Sequence, residues 1–331
     1  MQAAPILVTG GAGYIGSHVV RQLSQQGRRV LVLDDLSTGH AGAVGQAQLV
    51  VGEVGDRALV ERLLREHRIT SVLHFAGHLD VSTSLREPLR YYGNNVSQMR
   101  NLLAGCHQAG VRQFIYSSTA AVYGRVETGI ARESDPPAPI TPYGRSKLVG
   151  EWMLADLAAA GELRFVTLRY FNVAGAAGDC ELGPQPGLGR ALVKVCCEAA
   201  AGLRKHVEIF GTDYDTPDGT GVRDYIHVDD LARAHLDALV HLESGGGSVT
   251  LNCGYGHGTS VREVIKAVER VTGQPLAVRE MPRRPGDLPH VVADAHRIRE
   301  VLGWRPRYDN VEEMIRTALA WECRQLEVSR A

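Results

Sequence analysis

Short apolar runs rich in β-branched residues alternate with helix-period segments along the first half of the chain, and this alternation limits the possible folds more than any other feature. The runs are ILVTG, RVLVLDDL, QLVVGEV, SVLHFAG, QFIYSSTAAVYG and RFVTLRYFNVAG. Between two of them, Val96, Met99, Leu103 and Cys106 recur at steps of three or four residues, as on one buried helix face. The pattern predicts a parallel sheet that is covered by helices on both faces.

The alternation weakens after Gly175, where the stretch GAAGDCELGPQPGLG is rich in Gly and Pro. We therefore predict an α/β fold in which a doubly wound, Rossmann-like parallel sheet spans residues 1–175. A smaller C-terminal substrate-binding lobe would span residues 176–331, with helices near 190–201, 261–272 and 311–324. The apolar face of RDYIHVDDLARAHLDALVHL predicts that about 225–250 return to the first domain.

The first strand runs directly into VTGGAGYIGSH, which places three glycines just before a helix. Gly10 would allow the tight turn, Gly13 the close approach of a pyrophosphate, and Gly16 the packing of the helix against the strand. The spacing is G-x-x-G-x-x-G and differs from the dinucleotide fingerprint G-x-G-x-x-G. Taken alone, the motif also fits an ordinary β-turn-helix.

The second strand ends in an acidic residue that strengthens the dinucleotide interpretation. Asp34 lies 18 positions beyond Gly16, close to the ~20 expected for the acid that binds an adenosine ribose. A carboxylate there would repel a 2′-phosphate, so NAD is favoured over NADP. Asp35 is a second candidate, and a solvated strand end is the structural alternative for both.

The stretch PITPYGRSKLVGEWM places a phenol and an ammonium on one helix face. Thr141 precedes a proline and is predicted to cap the helix, so that Tyr143 lies in its first turn and Lys147 one turn later. A tyrosine has a reference pKa of ~10, so a tyrosine base at neutral pH needs about 4 kcal/mol of preferential phenolate stabilisation. A nearby ammonium and a cationic nicotinamide could supply it. An exposed Y-x-x-x-K helix pair is the alternative for the motif on its own.

Composition excludes several other functions. With 36 Lys+Arg against 37 Asp+Glu, the chain has no charge excess for nucleic acid. It shows neither a signal peptide nor an apolar stretch of the roughly 18 residues that a membrane span needs. The six cysteines form no C-x-x-C pair or Cys/His zinc pattern. We expect a soluble cytoplasmic protein with no nucleic-acid partner, no membrane partner and no metal.

Longer motifs carry a resemblance to a known family over nearly the whole chain. They are VTGGAGYIGSH, HFAG, YYGNNV, SSTAAVYG, PYGRSK, LRYFNVAGA, DYDTPDGTGVRDYIHVDDLA and PRRPGDLP. With them the sequence resembles the extended short-chain dehydrogenase/reductase family, and within it the enzymes that epimerise UDP-sugars at C4. The last three motifs discriminate best, because many reductases share the glycine loop and the Tyr-Lys pair.

The resemblance implies roles for individual residues. Tyr143 would take the proton of the sugar 4-hydroxyl, Lys147 would hold the nicotinamide ribose and lower the tyrosine pKa, and Thr119 would hydrogen-bond the same hydroxyl. The cofactor-binding positions would be Gly10, Gly13, Tyr14, Ile15, Gly16, Asp34, Glu53, Val54, Phe75, Ala76, Gly77, Asn94, Ser117, Tyr143, Lys147 and Tyr170. The substrate-binding positions would be Thr119, Tyr143, Asn172, Arg223, Arg284, Asp287 and Val291.

The resemblance also implies a reaction without net oxidation. Hydride would pass from C4 of UDP-galactose or UDP-glucose to tightly held NAD and return to the other face of a 4-keto sugar. The cofactor is then never consumed and is expected to copurify, and a homodimer is implied as well. Anchoring by the diphosphate would leave the sugar free to turn, and arginines suit those oxygens.

Four positions depart from the family pattern. Glu53 replaces a common aspartate, Leu79 a lysine found in some members, and Ala191 an asparagine, for which Arg190 is a possible substitute. Val291 replaces a bulky tyrosine beside the sugar and leaves UDP-N-acetylhexosamines open as a second substrate class.

Several rival functions share the fold. Dehydratases of the family carry an Asp-Glu pair after the serine or threonine, whereas this chain has Ala120 and Ala121 there, so elimination is disfavoured. A 4-epimerase of UDP-arabinose or UDP-glucuronate needs the same core and remains open. A non-catalytic NAD-binding sensor is the rival from another class, and such proteins often lose the Tyr or the Lys.

Overall fold

The computed structural model describes residues 4–185, 191–284 and 286–330. Fifteen strands occur in the described part of the chain: β1 Ile6–Thr9, β2 Val30–Asp34, β3 Gln48–Val51, β4 Ser71–His74, β5 Gln113–Thr119, β6 Ile130–Ala131, β7 Arg164–Tyr170, β8 Asn172–Ala174, β9 Val207–Phe210, β10 Val222–Arg223, β11 Tyr225–His227, β12 Val249–Cys253, β13 Thr259–Ser260, β14 Val278–Met281 and β15 His290–Ala293.

Eleven α-helices connect these strands within the described ranges: α1 Tyr14–Gln25, α2 Arg57–Glu66, α3 Val81–Arg86, α4 Pro88–Tyr91, α5 Met99–Ala109, α6 Pro142–Ala159, α7 Leu192–Ala200, α8 Val228–Glu243, α9 Val261–Thr272, α10 His296–Leu302 and α11 Val311–Arg330. A π-helical stretch, Tyr92–Gln98, leads into α5. The predicted last helix therefore continues beyond 324, and the predicted helix near 190–201 begins at Leu192.

Seven parallel strands form the main sheet in the order β12-β7-β5-β4-β1-β2-β3. Read from β3, the order reverses between β1 and β4, which is the doubly wound arrangement that we predicted. The inner strands β1, β2, β4 and β5 are almost entirely buried because helices cover both faces, whereas the edge strand β3 is partly exposed. Ligands of such sheets bind where the order reverses, beyond the carboxyl ends of the strands.

Two separate apolar cores fix the helices on the sheet. One cluster lies beneath α2 and α5 and includes Met99, Leu103 and Cys106, three members of the predicted helix face. The other cluster joins the opposite face of the sheet to α1 and α8 and continues into α7, α9 and α11. The carboxyl edge of the sheet is thereby held between rigid layers.

Residues after 175 contribute to both the main sheet and smaller sheets. The strand β12 pairs with β7 at the edge of the main sheet, and α8 packs against α1. A four-stranded sheet has the order β13-β10-β15-β6, while β11 pairs with β8 and β14 pairs with β9. Among the described helices, none is both long and apolar enough to cross a bilayer.

Candidate active site

The loop between β1 and α1 carries the three glycines of the motif, and their surroundings differ. Gly10 has φ +72°, and a Cβ there would lie 2.4 Å from the backbone N of Ala76. A Cβ on Gly16 would lie 2.2 Å from the carbonyl O of Gly10. A Cβ on Gly13 would meet only that carbonyl O, at an ordinary 3.4 Å. Packing therefore requires glycine at 10 and 16, whereas the described chain itself does not require it at 13.

The first turn of α1 offers backbone donors beside this loop. Gly13 is the N-cap, and no side chain caps the helix. The N–H groups of Tyr14, Ile15 and Gly16 have no partner within the helix, so they can serve an anion. The hydroxyl of Tyr14 donates to the carbonyl O of Gly175 at 2.6 Å and ties the helix start to the end of β8.

Asp34 lies at the carboxyl end of β2, next to the glycine loop. Its Oδ2 accepts from Ala12 N and its Oδ1 from Leu36 N, both at 2.9 Å. Burial raises the pKa of Asp34, while these two N–H groups act in the opposite direction. After the neighbouring β3, Glu53 is exposed and its Oε2 lies 3.4 Å from Gln98 Nε2, and Val54 is buried.

The segment after β4 forms the other wall of the crevice. The N–H groups of Phe75 and Ala76 both donate to the carbonyl O of Thr9, at 2.9 and 3.2 Å. Gly77 follows, and a Cβ there would lie 3.1 Å from Asn95 Oδ1. These contacts hold the two loops at the reversal point against each other, as a dinucleotide crevice requires.

The π-helical stretch brings two asparagines to this wall. The backbone N–H of His78 donates to Asn94 Oδ1 at 3.0 Å and to Asn95 Oδ1 at 2.8 Å. Asn95 is buried and also donates to Ser146 Oγ at 2.9 Å, which joins the wall to α6. Sequence reasoning selected Asn94 and missed Asn95; the adjacent pair in YYGNNV was the available signal.

Helix α6 begins as the sequence predicts. Thr141 is the N-cap, its hydroxyl accepts from the N–H of Gly144 at 3.2 Å, and Pro142 occupies the first helical position. Tyr143 and Lys147 then lie one turn apart, and both side chains are buried. The exposed-pair alternative for this motif is therefore wrong.

The ends of β5 and β7 face these two residues. Lys147 Nζ donates to the carbonyl O of Ser117 at 2.9 Å. The hydroxyl of Ser117 hydrogen-bonds that of Tyr170 at 3.1 Å. Thr119, two residues along β5, lies beside Tyr143, and its side chain opposes the effect of burial on the pKa of that tyrosine. The structure thus brings all five of these predicted residues together.

Burial controls the protonation of the Tyr143-Lys147 pair. It raises the pKa of Tyr143, to which Tyr170 adds, while the side chain of Thr119 acts in the opposite direction. It lowers the pKa of Lys147 to about 8, against the attraction of Glu151. Both shifts have the sign expected when a charged form loses its hydration. A phenolate at 143 therefore needs a further positive charge beside it.

The predicted substrate positions lie mainly on the small sheets. Asn172 begins β8, and its N–H donates to the carbonyl O of Asp224 at 3.0 Å. Arg223 pairs with Asp287 and lies beside Val291 in the parallel register of β10 and β15.

Arg284 and two positions that depart from the family pattern, Leu79 and Ala191, lie in different surroundings. The guanidinium of Arg284 stacks on Phe210 with its carbon 3.6 Å from the ring centroid. Leu79 is 69% exposed, and Ala191 caps α7 without a side-chain hydrogen bond. The possible compensation by Arg190 lies outside the described residues.

The residues present fit an NAD molecule. Gly13 leaves space beside unpaired helix donors, which suits a pyrophosphate, and Asp34 offers a carboxylate near the ~20-residue spacing expected for a ribose acid. Lys147 of α6 reaches the end of β5 through the carbonyl O of Ser117, and β5 lies next to β4 in the sheet. No cluster of three potential metal ligands occurs among the residues that the structure describes.

Comparisons with known proteins agree with this geometry. The model of the NAD dependent epimerase/dehydratase family matches residues 6–254. The UDP-glucose 4-epimerase of Azospirillum brasilense is 51% identical over 325 residues, or 98% of this chain and 93% of that protein.

Solved structures show the same similarity. The UDP-glucose 4-epimerase from Brucella ovis, in complex with NAD, has a TM-score of 0.94 and 42% identity, with 97% of this chain and 99% of that chain covered. The UDP-Glc/GlcNAc 4-epimerase from Campylobacter jejuni has a TM-score of 0.84 and 43% identity, covering 97% and 100%. The chain therefore belongs to the NAD dependent epimerase/dehydratase family, within the extended short-chain dehydrogenases/reductases.

Proposed function

We propose that this protein is a UDP-glucose 4-epimerase that interconverts UDP-galactose and UDP-glucose with NAD as a retained cofactor. The proposal rests on the arrangement of Thr119, Tyr143 and Lys147, whose buried side chains lie together at the end of β5. When bound, NAD+ would supply the acceptor and donor of the C4 hydride, so that the overall reaction is an isomerisation. The relative from Azospirillum brasilense, which matches 98% of this chain, is named UDP-glucose 4-epimerase.

The chain's own residues handle the proton and the position of the sugar. Tyr143 takes the proton of the 4-hydroxyl as the C4–H bond breaks, and it returns that proton once hydride adds to the other face of the 4-keto sugar. Thr119 holds the same oxygen. Lys147 and the cationic nicotinamide would offset the effect of burial, which raises the pKa of Tyr143.

The second lobe would anchor the nucleotide and leave the hexose free to turn. We assign Arg223, Arg284 and Asp287 of this lobe, together with Asn172 of the preceding domain, to the diphosphate and its neighbourhood. Arg223 and Asp287 pair with each other in the structure, so this arginine would exchange or share its carboxylate partner when a diphosphate binds. Guanidinium forks favour such anionic oxygens.

The direct test uses purified protein without added cofactor. We expect UDP-galactose to convert to UDP-glucose, followed by NMR, because NAD is retained and never consumed. Acid extraction should release NAD in an amount close to that of the chain. Failure of the reaction even after NAD+ is added would refute the proposed activity and make UDP-pentoses and UDP-uronates the next substrates to assay.

Val291 supports a second substrate class within the same reaction. It is a half-buried valine on β15, beside Arg223, and a valine leaves more room than a tyrosine for an N-acetyl group. We expect the protein to convert UDP-N-acetylgalactosamine as well. Val291→Tyr should lower that rate about tenfold or more while changing UDP-galactose turnover by about threefold or less. Equal losses of turnover on both sugars would show that Val291 does not determine the substrate specificity.

A homodimer would cover apolar side chains on the helices before and after β5. Leu89 of α4 is 82% exposed and Trp152 of α6 is 58% exposed, which is unusual for large apolar side chains on packed helices. We propose that they lie in a twofold interface. Light scattering distinguishes this dimer from a monomer of 35.9 kDa.

A further inference from the structure

One face of α6 carries a third ionisable residue beyond the catalytic pair. Tyr143, Lys147 and Glu151 follow at intervals of four residues, which places them on one side of the helix. Their exposed fractions are 7%, 5% and 6%. A carboxylate so deeply buried needs partners, since an isolated buried charge is very costly.

These three residues contact three consecutive residues of β5. Tyr143 lies beside Thr119, and Lys147 donates to the carbonyl O of Ser117. Between these two residues, the hydroxyl of Ser118 donates to Glu151 Oε1 at 2.5 Å. The contact of Glu151 therefore fixes the register between α6 and the strand end that holds the reacting groups.

The guanidinium that pairs with Glu151 comes from β7. Arg169 pairs with Ser118 in the parallel register of β5 and β7. Its Nη2 lies 2.6 Å from Glu151 Oε2 and its Nε 3.0 Å from Oε1. The guanidinium also lies 4.8 Å from the ring centroid of Tyr123. This bidentate geometry is the one in which a buried ion pair is best stabilised.

Glu151 is also the anion closest in sequence to Lys147 on this face. Other titratable groups beside Lys147 include His74 of β4 and Tyr116 of β5, and Tyr143 lies one turn earlier on α6. Burial lowers the pKa of His74 to about 3, so that histidine is neutral near pH 7. Burial disfavours the ammonium, and the attraction of Glu151 opposes this effect.

We propose that Glu151, held by Ser118 and Arg169, is a positioning residue that supplies the buried counter-charge of the Lys147 ammonium and aligns α6 with the end of β5. The inference rests on the proposed roles of Tyr143 and Lys147. It assigns no contact with substrate or cofactor to Glu151. Its effect on the reaction passes through the protonation of Lys147.

The test is the pH profile of kcat for Glu151→Gln. Loss of the carboxylate removes the attraction that favours the ammonium, so Lys147 should lose its proton at lower pH. The alkaline limb is expected to move down by about one pH unit, which makes the loss of kcat several-fold greater near pH 8.5 than near pH 6.5. KM for UDP-galactose should change by about twofold or less.

The chain offers a matched control on α7. Glu198 is 5% exposed and accepts from Lys194 Nζ at 2.8 Å in the same i,i+4 spacing. Glu198→Gln should destabilise the fold comparably without moving the alkaline limb, and Glu151→Asp should restore the limb of the wild type. An alkaline limb that stays in place in folded Glu151→Gln would overturn the inference.

Two further measurements cover the cases in which Glu151→Gln does not fold or the proposed reaction itself fails. If Glu151→Gln does not fold, the double variant Glu151→Gln/Arg169→Gln removes both buried charges and avoids an unpaired cation. The alkaline limb of its pH profile should also move to lower pH, by less than in Glu151→Gln. An unchanged limb would again overturn the inference. Wild-type turnover measured alongside shows whether a failure lies with Glu151 or with the proposed reaction itself.

Discussion

Tyr143→Phe is expected to lower kcat for UDP-galactose about 10³-fold while the protein stays folded and retains NAD. The ring is buried and keeps its packing in the variant, so only the hydroxyl and its interaction with Thr119 are lost. Positioned acid–base groups contribute about 10²- to 10⁴-fold in rate. Turnover is measured by NMR, and bound cofactor by acid extraction.

Tyr123→Phe is the matched control for this variant. Tyr123 is also buried, and its hydroxyl donates to Asn252 Oδ1 at 2.7 Å. Its replacement should cost about 1 kcal/mol of stability and leave most of the turnover. Unchanged kcat in Tyr143→Phe would remove the tyrosine from the proton transfer and would favour the non-catalytic sensor that the sequence left open.

Local sequence signals predicted the start of α6 because a few residues decide it. A threonine before a proline can take only a limited set of conformations, and the hydroxyl then caps the helix, as Thr141 does. The parallel main sheet with helices on both faces also follows from the alternation of strands and helices. The doubly wound fold and the resemblance to the family are both confirmed.

Other parts of the site depend on contacts distant in sequence. The pair of Arg223 with Asp287 spans 64 residues, and that of Arg169 with Glu151 joins a strand to a helix. Strands of two residues, such as β10 and β13, have too few side chains to show a period. The four-residue spacing of Tyr143, Lys147 and Glu151 is visible in the sequence, but the burial of the three side chains is not.

The protonation of the site shows why proximity on a helix is an incomplete argument. The resemblance implied that Lys147 lowers the pKa of Tyr143. In the structure, burial acts on both groups and disfavours both charges, so it raises the pKa of the phenol and lowers that of the ammonium. The lysine thus needs support for its own charge before it can stabilise a phenolate, and this links Glu151 to the pair.

A substitution in the glycine loop is expected to have the second large effect, this time on stability, because the glycines of the loop serve different purposes. In Gly16→Ala the new Cβ would lie 2.2 Å from the carbonyl O of Gly10 and 2.9 Å from the Cα of Gly11. These are backbone atoms that cannot swing aside, so we expect a loss of about 3 kcal/mol and a fall in Tm of about 5 °C or more. Thermal unfolding, with and without added NAD+, measures it.

Gly13→Ala separates binding from folding in the same loop. Its Cβ would meet only one atom, at 3.4 Å, and its φ of −80° suits alanine, so the intrinsic stability should change by about 1 kcal/mol or less. The methyl group would instead occupy space that the pyrophosphate needs, and retained NAD should fall at least about tenfold. Added NAD+ should then raise the Tm of Gly13→Ala by mass action and leave Gly16→Ala well below the wild type. Equal losses of stability and cofactor in both variants would mean that the glycine at 13 serves packing, which would remove the main structural reason for placing the pyrophosphate there.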